Sequence, residues 1–409
     1  MNRKARTVIL ALTLTIIHLG MQAAEQSAAG RESRRATGLA QAPYLQAVSP
    51  TSMAFLWRTH EPAYGWVEYG ETPTLGRKQD ASVLGLKVAN TTEHRIVVEG
   101  LRPGCTYHYR VVFKPIRNFQ AYKVEFGPEE QTEIRPFRTL PSARQEVAAV
   151  IFNDLHNDTN LFGGLRAAVG NTPFDFSVFN GDCFADPATA QQTFGVLAGY
   201  SRGIDAGSRP AFFLRGNHET RGAYSRQWPA LVEWPGGKPY FAFSAGSVRF
   251  VMLDLGEDKP DDHPAYSGLV DFARFRQEQT QWLKTEVASP AYRQAAWRVL
   301  IYHIPLYRER ASSGGSATNA PPRAAPRPDW QDTWLTLLRK ADLAINGHTH
   351  TRAYYPAGTI GNPYPVYVGG GPKTNLATVM ILRANSRELS LRVLDSTGRE
   401  VLPAFNKRR

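Results

Sequence analysis

Side chains that commonly bind metal ions follow five apolar runs after residue 146, each at the point where its run ends. They are two aspartates, four histidines and one asparagine: Asp154, His156, Asp182, Asn217, His303, His348 and His350. In α/β sheets, ligands bind just beyond the carboxyl ends of the strands, so these side chains are expected to meet at one rim. Any one of them alone is better explained as a satisfied buried histidine or a helix-capping aspartate. Their recurrence at five strand ends predicts a shared metal site.

The chemistry of this ligand set narrows the choice of metal. Carboxylate, imidazole and amide oxygen together suit zinc, manganese or iron, whereas magnesium and calcium prefer all-oxygen sites and iron–sulfur clusters need thiolates. Seven groups are too many for one ion, but they suit two ions that share a carboxylate. Two-metal sites hold their ions about 3.5–4 Å apart and clamp the attacking and leaving oxygens of an in-line displacement. The sequence therefore predicts two divalent metal ions, drawn from zinc, manganese and iron.

The elements that must position these residues are strands covered by helices. Apolar runs such as VAAVIF, AFFL and WRVLIY alternate with amphipathic stretches such as DFARFRQEQTQWLKTEVAS. Continuous apolar strands between amphipathic helices predict an α/β domain, which we place at residues 146–405. One segment interrupts this pattern, because residues 308–328 are rich in glycine, serine, proline and alanine and predict a mobile surface loop.

The preceding region has a different pattern. Between residues 42 and 141, short segments such as SMAFLWRTH, HRIVVEGL and TYHYRVVFK alternate polar residues with aromatic or β-branched ones. This pattern predicts an antiparallel β-sandwich. The piece GLRPGCTYHYRVV resembles the late strands of a fibronectin type III domain. The two cysteines, Cys105 and Cys183, fall in different predicted domains, so no structural disulfide is expected.

The first residues predict export from the cytosol. A basic start, MNRKAR, precedes the apolar run TVILALTLTIIHLG and then small residues, which indicates a signal peptide over residues 1–24. A membrane anchor is the alternative, but the apolar run is shorter than the roughly 20 residues that a span needs. Residues 25–41 predict a flexible leader, and no later segment of the mature chain is apolar enough to be a transmembrane segment. We therefore expect a secreted or periplasmic protein.

The net charge of the chain is +12, which is compatible with anionic substrates or surfaces. The arginines are nevertheless scattered along the sequence, and no stripe of basic and aromatic residues occurs. No specific nucleic-acid binding is therefore expected. A solvated basic surface is the better explanation of this charge.

The order of the metal-binding motifs resembles that of a known superfamily. Asp-x-His, Gly-Asp, Gly-Asn-His-Glu, a single histidine and Gly-His-x-His follow one another between residues 147 and 380, as in calcineurin-like metallophosphoesterases. The fibronectin-like region in front and the segment YHIPLY make the whole chain similar to the purple acid phosphatase group. The resemblance implies two domains, an N-terminal all-β sandwich and a C-terminal α/β domain built as an α/β/β/α sandwich.

The resemblance also implies a role for each residue. Asp182 would bridge two metals, and the remaining ligands would divide into Asp154, His156 and His350 for the first metal and Asn217, His303 and His348 for the second. His218 would face the leaving group without binding metal, and Glu219 would orient it. Arg215 would either grip the phosphate as a catalytic residue or form a structural salt bridge.

One departure from the purple acid phosphatase pattern concerns the metals. That group carries Gly-Asp-x-x-Tyr, whose tyrosinate binds ferric iron, whereas this chain has Ala185 at the corresponding position of NGDCFAD. It also has His156 where that group has glycine, so an imidazole is gained where a phenolate is lost. This exchange favours a divalent first metal and predicts a colourless enzyme. Cys183, beside Asp182, is expected to pack in the core rather than bind metal.

These implications predict a secreted phosphatase with two metals. It would hydrolyse phosphate monoesters of phosphorylated small molecules by in-line attack of a metal-bound hydroxide, with His218 as general acid. One alternative is a phosphodiesterase that acts on nucleotides or phospholipid head groups, since the same metals serve both reactions. Another is a catalytically inert protein that binds a surface or a glycan through its sandwich. An inert domain would be expected to have lost metal ligands, and no ligand position is lost.

Overall fold

Two domains follow one another in the described part of the chain. The computed structural model describes residues 37–143, 145–307 and 329–409. An N-terminal β-rich domain precedes a C-terminal α/β domain, as the sequence patterns predicted. The predicted signal peptide and the predicted loop at 308–328 lie outside the described residues. Within the described ranges, no helix has both the length and the apolar character needed to span a membrane.

The N-terminal β-rich domain is built from ten strands. They are β1 (Leu39–Ser49), β2 (Ser52–Gly70), β3 (Arg77–Gln79), β4 (Ser82–Val83), β5 (Leu86–Lys87), β6 (Thr91–Val98), β7 (Thr106–Gln120), β8 (Lys123–Phe126), β9 (Glu130–Gln131) and β10 (Arg135–Arg138). β2 runs for 19 residues, and its pairing with β6 shifts register between Arg58 and Ala63. The core of the N-terminal β-rich domain is strongly aromatic and includes Trp57, Tyr107 and Tyr109. Since aromatic residues pack well on a half-buried pleated surface, the alternating pattern of the sequence explains these strands.

The ends of the structure differ slightly from the domain boundaries that the sequence suggested. β1 begins inside the predicted leader of residues 25–41, because Leu39 already pairs with Thr59 of β2. At the other end, a final strand, β22 (Phe405–Arg408), extends beyond residue 405 and pairs with the strand before it. Both differences arise from backbone pairing of polar segments, which carry little hydrophobic pattern.

The C-terminal domain contains two sheets that face each other. The first holds β11 (Val147–Phe152), β12 (Phe176–Asn180), β13 (Ala211–Leu214), β20 (Val379–Ala384), β21 (Glu388–Leu394) and β22. The second holds β14 (Phe241–Ala245), β15 (Val248–Leu253), β16 (Trp297–Tyr302), β17 (Leu343–Asn346), β18 (Ala353–Tyr355) and β19 (Val366–Val368). Phe176 of the first sheet packs edge-on against Phe243 and Phe250 of the second. The main core of the domain therefore lies between the sheets.

Helices cover the outer faces of both sheets. They are α1 (Thr159–Val169), α2 (Ala190–Ile204), α3 (Phe272–Ala288), α4 (Pro290–Gln294) and α5 (Asp329–Leu337), with short 3-10 helices at His218–Thr220, Trp228–Leu231, Pro235–Gly237 and Pro264–Tyr266. Phe162 of α1 and Tyr200 of α2 pack against Phe179 of β12. Leu283 of α3 and Trp334 of α5 share a core cluster with strands of the second sheet. This order of layers is the expected α/β/β/α sandwich.

The two domains share one continuous sheet. β1 pairs in parallel with β13 through Gln46 and Ala211, so the first sheet reaches 14 strands. The hydroxyl of Tyr44 donates to the carbonyl of Leu231 over 2.9 Å, and the guanidinium of Arg95 donates to the carbonyl of Val232 over 2.7 Å. The N-terminal β-rich domain is therefore attached to the segment that follows β13.

Candidate metal centre

The carboxyl ends of five strands meet at one rim of the C-terminal domain. The seven predicted ligands follow these strands directly: Asp154 and His156 after β11, Asp182 after β12, Asn217 after β13, His303 after β16, and His348 and His350 after β17. β11, β12 and β13 belong to the first sheet, whereas β16 and β17 belong to the second. The rim therefore receives side chains from both sheets, as the strand-end rule predicted.

Two groups of metal-binding atoms share one carboxylate. Within each group all ligand atoms lie within 4.8 Å of one another, and the groups consist of Asp154, His156, Asp182 and His350, and of Asp182, His303 and His348. Only Asp182 belongs to both groups. Asn217 lies beside the second group, because its Oδ1 is 2.8 Å from Nδ1 of His348. This arrangement suits two metal ions that share a carboxylate.

Several ligand residues hold a backbone conformation that L-residues with side chains rarely adopt. Positive φ angles occur at five of the seven: Asp154 (+52°), His156 (+48°), Asp182 (+52°), His348 (+73°) and His350 (+58°). A left-handed backbone at a non-glycine residue costs on the order of 1–2 kcal/mol. Contacts of the surrounding loops must offset this strain. One such contact is the bond of 2.9 Å from the N–H of His218 to Oδ1 of Asp182.

Two glycines allow the ligands to approach closely. A Cβ atom on Gly216 would lie 2.4 Å from Oδ1 of Asp182, although the backbone of Gly216 itself suits any residue. Gly181 has a φ of +76°, and a Cβ there would lie 2.5 Å from the ring of His303. The Gly-Asp and Gly-Asn pairs of the sequence therefore reflect steric need as well as ligand chemistry.

Burial and nearby charges shift the pKa values at the centre of the site. Burial lowers the pKa of His303, but the carboxylates of Asp182 and Asp154 outweigh burial and raise it to about 10. For Asp182, burial raises the pKa, but the charge of His303 and their mutual hydrogen bond lower it overall. Nε2 of His303 lies 2.9 Å from Oδ2 of Asp182. Both shifts favour a protonated His303 beside an ionised Asp182 in the metal-free chain, so a metal ion must compete with the proton of His303.

The imidazoles present nitrogen atoms toward the shared carboxylate. Nε2 of His156 is buried, has no hydrogen-bond partner among the described residues, and lies 3.9 Å from Oδ2 of Asp182. Nδ1 of His303 lies 2.9 Å from the backbone oxygen of Asn180, which holds the ring so that Nε2 faces Asp182. A buried polar atom without a partner is costly. These nitrogens therefore fit a pair of divalent ions.

Glu219 binds the backbone of the loops that carry the ligands, which corrects the expectation that it orients His218. Its buried carboxylate accepts four backbone N–H bonds of 2.7–2.9 Å, from Asp182, Cys183, Phe184 and Gly216. Burial, followed by the charge of Asp182, raises the pKa of Glu219 to about 7. The four bonds tie the loop after β12 to the loop after β13. Glu219 therefore holds the backbone of the bridging aspartate instead of the ring of His218.

A different carboxylate contacts His218. Oδ1 of Asp186 lies 3.1 Å from Nδ1 of His218, while Nε2 of the same ring lies 4.0 Å from Oδ2 of Asp182. One ring nitrogen is thus held by Asp186 and the other faces the shared carboxylate. Asp186 closes NGDCFAD in the sequence, but no spacing rule linked it to His218. The signal that the sequence offered for this contact was the acidic residue at the end of NGDCFAD.

Arg215 forms a salt bridge with a buried aspartate. Its Nε donates to Oδ2 of Asp254 over 2.7 Å, and its guanidinium lies 5.1 Å from the ring centre of Phe275. Asp254 is almost completely buried, with 1% exposure. A buried carboxylate requires a partner, and removing that partner is strongly destabilising. Of the two roles left open by the sequence, the structural one agrees with these contacts.

The remaining residues of NGDCFAD serve the loop itself. The N–H of Ala185 donates to Oδ1 of Asn157 over 2.9 Å, and its carbonyl accepts from Nδ2 of the same residue over 3.1 Å. Cys183 is buried in the main core, and the hydroxyl of Tyr200 donates to its carbonyl over 2.7 Å. Cys105 and Cys183 are both free thiols, so no disulfide links the domains, as expected.

Known protein families match both domains. Residues 149–352 match the family described as calcineurin-like phosphoesterase, and residues 41–139 match the one described as purple acid phosphatase, N-terminal domain. No curated protein sequence matches the chain. The match over residues 41–139 supports a β-rich domain of the purple acid phosphatase type, while the resemblance to fibronectin type III domains stays a prediction.

Solved structures share the fold at low sequence identity. Purple acid phosphatase PPD1 from seeds of yellow lupin (Lupinus luteus) is 16% identical, with a TM-score of 0.63, and the match covers 90% of this chain and 74% of that chain. PhoD is 12% identical, with a TM-score of 0.57 and coverage of 90% and 88%. At such identities the likeness shows the fold, and function must be argued from the residues of the site.

Proposed function

Because the chain is a metallophosphoesterase with a purple acid phosphatase N-terminal domain, we propose that it hydrolyses phosphate monoesters with two divalent metal ions. The observation that carries this proposal is the carboxylate of Asp182, which belongs to both groups of metal-binding atoms. Two ions that share a carboxylate can hold both oxygens of an in-line displacement at phosphorus. Phosphorylated small molecules are the proposed substrates.

The proposed ligands divide between the two groups around Asp182. Besides Asp182, the first ion is assigned to Asp154, His156 and His350, and the second to Asn217, His303 and His348. Each ion then has both oxygen and nitrogen ligands, a combination that zinc, manganese and iron accept. The short distance between Asn217 and His348 supports the inclusion of the amide, which the sequence order alone suggested.

Residues of the chain itself assist the departure of the leaving group. When bound, the two ions supply a nucleophilic water near neutral pH and offset negative charge on the phosphoryl oxygens. His218 is the proposed general acid, since its Nε2 faces the centre while Asp186 holds its Nδ1. A positioned acid contributes about 10²- to 10⁴-fold to such reactions. Glu219 keeps Asp182 in place by binding the backbone on both sides of the site.

The first metal is proposed to be divalent. Ala185 has no atom that could replace a tyrosinate, and its backbone is engaged by Asn157. His156 offers a neutral nitrogen in the first group instead. A neutral ligand compensates less charge than a phenolate does, so ferric iron is disfavoured. Metal analysis with a visible spectrum tests this, and a tyrosinate-like band in the purified protein would contradict it.

The decisive assay compares a phosphate monoester with a diester. The wild-type chain, loaded with zinc, manganese or iron, is expected to cleave p-nitrophenyl phosphate faster than bis(p-nitrophenyl) phosphate. Asp182→Asn is expected to lose both activities while keeping the fold by circular dichroism. Preference for the bis ester would instead identify a phosphodiesterase. Cleavage of neither ester by any metal form would overturn the enzymatic proposal and favour an inert binding protein.

Export is a separate part of the proposal. It rests on the basic start MNRKAR and the apolar run that follows it, as in signal peptides. The expected mature protein begins near residue 25 and is secreted or periplasmic. Amino-terminal sequencing of the protein recovered outside the cytosol tests this. Recovery of the intact amino terminus in a membrane fraction would support an anchor instead.

A further inference from the structure

A surface cavity lies at the amino ends of the strands whose carboxyl ends form the metal centre. It has a volume of about 550 Å³ and opens between the end of α3, α4 and the segment after α5. β16 begins beside the cavity with Arg298 in its second position and ends just before His303. About 16 Å of extended strand separates these two residues. The cavity therefore shares no residue with the metal centre.

Four cations line this cavity, and no carboxylate lines it: Arg293, Arg298, Arg339 and Lys340. Arg298 is held in place, since its Nε donates to the carbonyl of Tyr292 over 2.9 Å and its Nη2 to that of Arg293 over 2.7 Å. The other three side chains are exposed, and none forms an ion pair with another described residue. Uncompensated cations in a concave surface attract anions.

The nearest carboxylate is already engaged elsewhere. Oδ2 of Asp342 accepts the backbone N–H of Arg298 over 2.9 Å, and its Oδ1 accepts from Nζ of Lys407 over 2.5 Å. Nη1 of Arg298 lies 3.8 Å from Asp342, so this arginine is partly compensated. Arg293, Arg339 and Lys340 are therefore left as the cations that a ligand could neutralise.

Tyr292 forms part of the wall of the cavity. Its side chain lines the cavity and is 2% exposed, and the guanidinium of Arg298 lies 5.4 Å from the centre of its ring. The ring therefore fixes one side of the cavity beside the cations.

We propose that this cavity binds an anion that carries several phosphate groups. Guanidinium groups bind phosphate oxygens in pairs, and three cations left for a ligand around one cavity exceed what a single phosphate would need. The volume is also much larger than one phosphate group. The phosphate groups could belong to a soluble oligophosphate or to the head groups of an anionic lipid surface. This site does not depend on the activity proposed for the metal centre.

The proposal is tested with the full chain in EDTA, using tripolyphosphate as the probe in isothermal titration calorimetry. EDTA removes metal ions, so the probe is neither hydrolysed nor bound through a metal. Arg293→Ala with Arg339→Ala is expected to weaken binding about tenfold or more. The charge-matched control, Arg77→Ala with Arg387→Ala, removes two exposed arginines that do not line the cavity and is expected to bind like wild type.

A second arm distinguishes the source of the phosphate groups. Co-sedimentation with phosphatidylglycerol vesicles, compared with phosphatidylcholine vesicles, measures binding to lipid head groups. Loss of vesicle binding only in the cavity variant supports the lipid source, and loss of tripolyphosphate binding only in that variant supports the soluble one. Absence of wild-type binding to both probes, or equal loss in both double variants, would overturn the proposal.

Discussion

The N-terminal β-rich domain and the metal centre each bury a histidine, and the two histidines titrate in opposite directions. His94 of the first region stacks on Trp57 at 4.9 Å, and burial lowers its pKa to about 4. His303 of the second region is equally buried, but the carboxylates of Asp182 and Asp154 raise its pKa to about 10. Burial alone therefore does not decide the charge of a histidine. The difference shows that neighbouring carboxylates set the direction of the pKa shift at the metal centre, whereas burial sets it for His94.

The backbone shows the same contrast. Three non-glycine residues of the N-terminal β-rich domain have positive φ angles, Leu75, Leu84 and Asn90, and each lies in a turn between strands. At the metal centre such angles occur at ligand residues themselves. Strain of this kind persists only when surrounding contacts hold it, and it concentrates at functional sites. Substitutions in the two regions should therefore affect activity very differently.

The strongest test of the comparison replaces one aspartate in each region. Asp182→Asn is expected to lower phosphatase activity by about 10³-fold or more, because the shared carboxylate is lost from both groups of ligands. Asp80→Asn removes a carboxylate that binds Tyr64 and Lys87 over 2.6 Å, and is expected to leave kcat unchanged. Steady-state kinetics and metal content by mass spectrometry give the result. Equal losses in both variants would break the comparison.

The second test concerns proton donation. His218→Ala is expected to lower kcat by about 10²- to 10⁴-fold, with a larger loss for alkyl phosphates than for p-nitrophenyl phosphate, whose leaving group needs less help from an acid. Asp186→Asn leaves the ring but weakens the contact with its Nδ1, so the loss should be smaller. Metal content should stay at the wild-type value in both variants. A fall in bound metal would instead make His218 a ligand.

The third test uses two glycines in the same domain. Gly216→Ala is expected to lower activity about 10²-fold, because its Cβ would lie 2.4 Å from Oδ1 of Asp182 and 2.6 Å from its backbone nitrogen. A Cβ atom on Gly195 of α2 would meet no atom within 4 Å, so Gly195→Ala is expected to stabilise the protein by about 0.5–1 kcal/mol. Activity assays and thermal unfolding measure both. Normal activity in Gly216→Ala would contradict the close approach.

The last test leaves activity aside and concerns the pH dependence of stability in the metal-free chain. His303 holds its proton up to about pH 10 when folded and only to about 6.5 when unfolded, so its stabilisation is complete below pH 6.5 and is lost between pH 6.5 and 10. His94 acts oppositely, since the unfolded chain gains a proton that the folded chain refuses, and stability falls from pH 6.5 to 4. Thermal unfolding in EDTA across this range shows both slopes.

One substitution and one metal addition show which histidine causes each slope. His94→Phe is expected to reduce the loss of stability on the acid side, and zinc is expected to remove the loss on the alkaline side by replacing the proton of His303. An alkaline slope that persists with saturating zinc would contradict the assignment to His303.

The buried strands were predictable because their pattern is simple. VAAVIF, AFFL and WRVLIY coincide with β11, β13 and β16 at both ends, since strands buried on both faces read as uninterrupted apolar runs. The segment SMAFLWRTH was predicted to end at residue 60, whereas β2 continues to Gly70, because the exposed residues at 60–62 interrupt the alternating pattern. Pairing on both sides of that stretch, of Thr59 with Leu39 and of Ala63 with Pro115, carries the strand through it, and local sequence does not encode this pairing.

The roles of the residues around the ligands depended on contacts between distant segments. Glu219 follows His218 in the chain, yet it accepts from backbone N–H groups of the loop after β12, which lie 35 to 37 residues away in the sequence. Asp186, which was not singled out, takes the place beside His218 that was expected for Glu219. Arg215 precedes the Gly-Asn-His-Glu motif but turns to Asp254, which lies 39 residues further along the chain.

The sequence by itself determined the types and order of the metal-binding residues and the strand ends that carry them, because strand period and apolar burial are local properties. It also placed Ala185 in NGDCFAD where a tyrosinate would be expected. Only the tertiary structure decided that Asp186 holds His218, that Glu219 binds the backbone of the loop after β12, and that cations gather at the opposite ends of the strands. Charge and hydrogen bonding act through space, so those assignments required the two sheets to be brought together.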